Sequence, residues 1–255
     1  MIEFTRRHLL QSAGLALGLP AWAQAQPVLA VGATFARLFM PGPQGRPQGL
    51  AVDLLERILL PLGQAPRYEL YPWLRAQAML AQGQAQILIG PYRTPEREAL
   101  MRFSQQAFYE DAMLFYVRRE ALDLWRGDYA ALAGLRVGVV QGWVYGAEFE
   151  QRRAQLRPEP LRDLATGLRM LERGRLDLLA ANERNAQPVL EALGLGQALL
   201  PCRTPLGRLR GHFAFGLDEA GALWRQRVDA GLARLRASGE LATLAARWQV
   251  TLPSG

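Results

Sequence analysis

Met79-Leu80-Ala81-Gln82-Gly83-Gln84-Ala85-Gln86-Ile87-Leu88 and Met170-Leu171-Glu172-Arg173-Gly174-Arg175-Leu176-Asp177-Leu178-Leu179 follow one pattern. Each opens as a helix, meets a Gly and enters an apolar run a few residues later. Glycine just past a helix C-terminus takes the left-handed conformation that closes the last turn, so each segment predicts a helix end followed by a buried strand. Strand-and-turn pieces precede each copy: Ala30-Val31-Gly32 before the first and Arg136-Val137-Gly138 before the second. Units repeated in the same order predict two similarly built α/β lobes, each a mixed sheet flanked by helices.

Outward from these segments, strand and helix alternate. Residues 28–32 read as a strand, and the Pro- and Gly-rich stretch up to Gly49 reads as a loop. Residues 50–62 place Leu54, Leu55, Ile58, Leu59 and Leu62 on one helical face. Further strands are expected at 67–71, 87–90, 112–117, 136–140, 176–181, 199–204 and 212–217. Helices are expected at 72–82, with Pro72 in the first turn, at 145–155, at 162–173, and at 223–248 with a break at Ser238-Gly239.

The composition narrows the function. Half of the 255 residues are hydrophobic and 21% are charged, as in a soluble globular protein. The net charge is +7, and every basic residue is Arg. The arginines are spread along the chain beside acids, as in Glu96-Arg97-Glu98 and Glu183-Arg184, so a nucleic-acid partner is not expected. Without Lys there is no Walker P-loop and no Schiff-base chemistry. A single cysteine, Cys202, excludes an intramolecular disulfide, and two histidines, His8 and His212, leave too few ligands for zinc. No cofactor and no metal are expected. The few serines and the absence of G-x-S-x-G argue against a serine hydrolase.

Residues 1–25 read as an export signal: Arg6-Arg7, an apolar run from Leu9 to Leu19, then Ala23-Gln24-Ala25. Thr5-Arg6-Arg7-His8-Leu9-Leu10 is similar to a twin-arginine signal. A periplasmic protein is expected.

Several segments in order resemble the extracellular solute-binding protein family 3, the amino-acid-type binding proteins of ABC importers. They are Gly49-Leu50-Ala51-Val52-Asp53-Leu54, Gly83 with Gln86, Thr94-Pro95-Glu96-Arg97 followed by Phe103-Ser104, Leu132-Ala133-Gly134-Leu135-Arg136-Val137-Gly138-Val139, Gly174-Arg175-Leu176-Asp177, and the tail Gly239-Glu240-Leu241 to Arg247-Trp248. The resemblance covers nearly all of residues 28–250. It implies the type II periplasmic binding protein fold, with a discontinuous first lobe of residues 27–116 and 209–255, a second lobe of 117–208, and two hinge crossings. It also implies a monomer that closes on a small-molecule ligand and delivers it to an ABC transporter permease in the inner membrane.

In that family the Arg of the Thr-x-x-Arg segment grips the ligand carboxylate, which maps to Arg97; a guanidinium fork matches a carboxylate bidentately. Other cleft candidates stand at the carboxyl ends of strands, where open α/β sheets bind ligands: Phe35, Trp73, Gly90, Tyr92, Trp143 and Tyr145. Asn182 stands where amino-acid binders of the family usually carry an Asp for the ammonium, and Trp143 replaces a small Ser or Thr. Both departures put an ordinary α-amino acid in doubt. Two alternatives stay open: a cyclic-acid dehydratase on the same fold, with Glu183 or Glu110 as general acid, and a sensing module that docks on a membrane receptor.

Overall fold

A computed structural model describes residues 27–254; the export signal read in residues 1–25 lies outside the described residues. In chain order the elements are β1 (Val28–Gly32), α1 (Leu50–Leu59), β2 (Pro66–Leu70), α2 (Trp73–Ala81), β3 (Ile87–Tyr92), α3 (Pro95–Glu98), β4 (Arg102–Phe103) and β5 (Tyr109–Arg118). There follow β6 (Val137–Val140), α4 (Ala147–Leu156), β7 (Glu159–Leu161), α5 (Leu164–Glu172), β8 (Leu178–Asn182) and α6 (Glu183–Leu193). The chain ends with β9 (Leu199–Pro201), β10 (Gly207–Phe215), α7 (Glu219–Ala237) and α8 (Glu240–Arg247).

The two echoed segments fold alike down to individual hydrogen bonds. After α2, Gly83 (φ +70°) donates to Leu80 O, and Gln84 N donates to Met79 O at 2.9 Å. After α5, Gly174 (φ +66°) donates to Leu171 O, and Arg175 N donates to Met170 O at 2.8 Å. Both helices therefore end in the paired 6→1 and 5→2 bonds of a Schellman motif, which satisfies carbonyls that the helix leaves free. The strands that follow, β3 and β8, are buried throughout.

The sheet order is β2-β1-β3-β10-β5-β8-β6-β7, with β4 on β10 and β9 on β5. At one end β1 runs parallel to β2 and β3; at the other β6 runs parallel to β7 and β8. Between them β10 and β5 are antiparallel to their neighbours and cross from one lobe to the other. On β5, Tyr109–Met113 pair with β10 and Met113–Tyr116 pair with β8, so Met113 belongs to both halves. The fold is the expected two-lobed α/β architecture.

Amphipathic helices cover each half. α1 buries Leu50, Leu54, Leu55, Ile58 and Leu59 in the first core. α5 buries Leu164, Leu168 and Leu171 in a second cluster with Leu161, Leu176, Leu179 and Leu190. At about 1.5–3 kcal/mol for each fully buried Leu, each cluster can hold its own helices against its sheet.

The elements differ from expectation in two places that matter for the site. Helix α6 was not anticipated, because Pro188 interrupts its pattern and its first turn, Glu183-Arg184-Asn185, is polar. β10 begins at Gly207 rather than 212, because Gly207-Arg208-Leu209-Arg210-Gly211 is half-exposed and glycine-flanked where it crosses between lobes. His212 is buried in β10 with Nδ1 2.9 Å from Ser104 O. Burial lowers its pKa to about 4.

An imidazole with an ordinary pKa near 6.5 in the unfolded chain and near 4 here makes the unfolded chain the better proton binder between those values. The stability that His212 contributes is present above pH 6.5 and is lost as pH falls towards 4. Urea unfolding across that range should show wild type losing stability relative to His212→Gln as the solution is acidified; a constant difference would mean that His212 does not titrate in this way.

Candidate functional site

The carboxyl ends of the parallel strands in the two lobes point at each other. From the first lobe come the loop after β1, the start of α2, and the end of β3 with α3; from the second come the turn after β6 and the β8–α6 junction. Phe35, Trp73, Gly90, Tyr92, Arg97, Trp143 and Asn182 line one cavity there, together with Tyr109, Val144 and Asn185. Its volume is about 20 Å³, room for about one or two water molecules. Phe35 and Trp73 meet edge to face at 5.5 Å. Gly90 has φ +84°, and a Cβ there would stand 3.2 Å from the Phe35 ring and 3.4 Å from the Tyr109 hydroxyl. Glycine thus lets the strand pass close beneath both rings.

Tyr145 is not part of this cavity. It is fully buried in the second lobe, its hydroxyl accepts from Val140 N at 2.7 Å, and its ring lies 5.2 Å from Phe149. The tight turn after β6, with Gly142 at φ +78° and Trp143 N donating to Val140 O, leaves Trp143 at the cleft and carries Tyr145 into the lobe. Its expected place at the cleft is therefore corrected.

Arg97 sits in the single turn of α3, whose N-cap Thr94 accepts from Arg97 N. Its side chain turns inward rather than to Glu96 or Glu98. Nη1 donates to Tyr92 O at 3.0 Å, Nη2 crosses the cleft to Gly142 O at 2.9 Å, and the guanidinium lies 5.6 Å from the Trp73 ring centroid. Trp73 Nε1 donates to the same Gly142 oxygen at 3.2 Å. A Cβ on Gly142 would stand 3.2 Å from Trp73 and 3.0 Å from Leu74, so those side chains would have to give by a few tenths of an ångström to admit one. Arg97 is 9% exposed, and among the described residues no carboxylate lies within ion-pairing distance of it. Burial pulls its pKa down: a charge has been taken out of water, its hydrogen-bond acceptors are neutral carbonyls, and Glu150 and Glu96 favour it only from beyond ion-pairing distance.

A second buried arginine is fully answered. Arg184 of α6 holds Asp111 of β5 bidentately, Nε to Oδ1 at 3.0 Å and Nη2 to Oδ2 at 2.5 Å, both side chains 6% exposed. Its Nη1 donates to Ala36 O at 2.7 Å in the first lobe, and Asn185 Oδ1 accepts from Ala36 N at 3.0 Å. Tyr92 donates to Asp111 Oδ2 at 2.7 Å and accepts from Asn182 Nδ2 at 3.1 Å. Burial and the adjacent Asp111 carboxylate raise the Tyr92 pKa, so its hydroxyl keeps its proton. Asn182 also caps α6, its Oδ1 accepting from Asn185 N at 2.9 Å.

Asp111, Arg184 and Asn185 were not identified from the sequence. Glu183-Arg184 reads there as a neighbouring acid–base pair, but the partner of Arg184 is 73 residues away. Glu183 is exposed, and Glu110 faces Arg208 and Arg210 at 3.4 Å; neither lines the cavity beside Arg97. Glu110 and Glu183 line a separate pocket with Asp111 and Arg184.

Removing one member of a buried pair leaves the other charge unanswered at a cost of about 3–5 kcal/mol, whereas removing both is far milder. Arg184→Met alone should lower unfolding stability by about that amount, and Asp111→Asn with Arg184→Met should recover most of it. Denaturant melts of the three proteins check this; an unaltered midpoint in the single variant would show that the pair does not hold the lobes.

The same architecture occurs in solved structures. A histidine kinase sensor domain with similarity to periplasmic binding proteins matches with TM-score 0.79 at 19% identity, over 90% of this chain and 99% of that one. A mutant of ArgBP from T. maritima matches with TM-score 0.73 at 19% identity, over 87% and 94%. An ABC uptake transporter substrate binding protein from Streptococcus pneumoniae with bound histidine matches with TM-score 0.72 at 16% identity, over 87% and 91%. No curated protein matches the chain in sequence. Residues 28–251 match the profile of the bacterial extracellular solute-binding proteins, family 3, and the chain belongs to that family.

Proposed function

We propose that this is a periplasmic solute-binding protein that closes its lobes on a small polar, carboxylate-bearing solute, an amino acid or a derivative, and delivers it to an ABC transporter permease. The observation that carries this reading is Arg97: a buried guanidinium at the lobe junction, ringed by Trp73, Tyr92 and Phe35, with no ion-pairing carboxylate among the described residues. A solute carboxylate supplies the missing charge and matches the donor fork. The aromatic rings cover the rest of the solute and exclude water.

A cavity of about 20 Å³ is smaller than such a solute, so the lobes part about the β5 and β10 crossings to admit it and close to a slightly wider setting around it. Contacts to both lobes give the solute its preference for the closed form, and only such a differential preference shifts the population. The expected export signal and the membership of an extracellular family support the periplasmic location.

A second reading draws on the likeness to a histidine kinase sensor domain: the closed form is read by a membrane receptor instead of a permease. The two separate in cells. Loss of the protein lowers uptake of the bound solute in the first case, and abolishes only the response to it in the second.

The binding step is tested by thermal shift of the purified protein against amino acids, opines and small carboxylates. A solute at a hundred times its Kd adds about 2.7 kcal/mol of stability, and Arg97→Ala should remove that gain. A solute that stabilises both proteins equally would show that Arg97 is not the carboxylate grip. A panel in which nothing shifts the protein would count against solute binding itself.

A further inference from the structure

We infer that the cleft selects carboxylates that carry no α-ammonium group, because the one charged residue lining it is a cation and Asp111, the carboxylate bonded to its Tyr92, is held by Arg184 of the protein itself. This rests on the reading of the cleft as a carboxylate-solute site and narrows it.

The argument is an account of donors and acceptors. Arg97 is the one charged residue lining the cavity among the described residues. It has five N–H donors, of which two are bonded, to the carbonyls of Tyr92 and Gly142. Donors are therefore in surplus. The acceptors are engaged. Gly142 O takes both Arg97 and Trp73, Gly90 O takes the Tyr109 hydroxyl at 2.6 Å, and Asn182 Oδ1 takes Asn185 N. Asn185 Oδ1 takes Ala36 N and Arg184 Nη1, and the Tyr92 hydroxyl takes Asn182 Nδ2. Asp111, which bonds Tyr92 but does not itself line the cavity, takes Arg184 twice and Tyr92 once.

An ammonium entering this space meets only neutral oxygens, and a buried cation without a counter-charge is strongly disfavoured. The aromatic faces give no refuge: Trp73 already lies beside the Arg97 guanidinium, and a second cation next to it is repelled. A carboxylate alone meets surplus N–H donors and an unanswered positive charge.

The test is isothermal titration of the purified protein with matched pairs: propionate against L-alanine, and 3-phenylpropionate against L-phenylalanine. The acid should bind at least about tenfold more tightly than the amino acid of the same skeleton. Equal or tighter binding of the amino acid, lost in Arg97→Ala, overturns this inference and leaves the carboxylate site standing. Binding of neither member of either pair removes the carboxylate site, and the inference with it. In Arg184→Met, which frees Asp111, the preference should shrink or reverse, and in Asp111→Asn with Arg184→Met it should return. A preference unchanged in a folded Arg184→Met protein overturns the role given to Arg184; if that variant does not fold, the wild-type pairs still decide.

Discussion

The bidentate ion pair between Asp111 and Arg184 sets how the two lobes meet. Asp111 stands on β5, the strand common to both sheet halves, and Arg184 stands in the first turn of α6. Around them Tyr92, Asn182, Asn185 and the backbone of Ala36 each take a hydrogen bond from or give one to the pair or its neighbours. A buried pair of this kind is strong only when its remaining donors and acceptors are also met. Here they are met by residues from both lobes, so the network fixes the orientation of Tyr92, which with Trp73 and Phe35 gives the cleft its aromatic walls.

Two arginines lie buried within the same junction in opposite electrostatic circumstances. Arg184 is ion-paired with Asp111, and Arg97 has no ion-pair partner among the described residues. The difference follows from position. Arg184 begins a helix that packs against the crossing strand, within reach of Asp111. Arg97 lies in the one-turn helix after β3, where Glu98 is drawn away by Arg93. The junction is therefore saturated on one side and open to an anion on the other.

The layout was legible in the sequence because Gly83 and Gly174 mark the same helix termination twice, and local signals of that kind do not depend on distant contacts. Arg97 was legible as a cavity-lining residue only because its segment Thr94-Pro95-Glu96-Arg97 resembles the family's. The Asp111–Arg184 pair was hidden, since each residue has a charged neighbour in sequence, Glu110 and Glu183, and pairing across 73 residues leaves no local trace. Tyr145 was misplaced because nearness to a strand end gives a position but not the direction of the side chain after a turn. Helix α6 was masked by Pro188, and with it went the acceptor chemistry of Asn185.

Because β5 is hydrogen-bonded on its first half to β10 and on its second half to β8, the lobes cannot slide along one another without tearing a ladder. What remains is turning, as the covers of a book turn about the spine. In such a motion displacement grows with distance from the spine. Asp111 lies two residues from Met113, where β5 changes partner, while Arg97 and Gly142 lie on segments away from it. In a turn of that kind the clasp at the spine would outlast the contact between Arg97 and Gly142, and the guanidinium would give up that carbonyl while keeping the one of Tyr92.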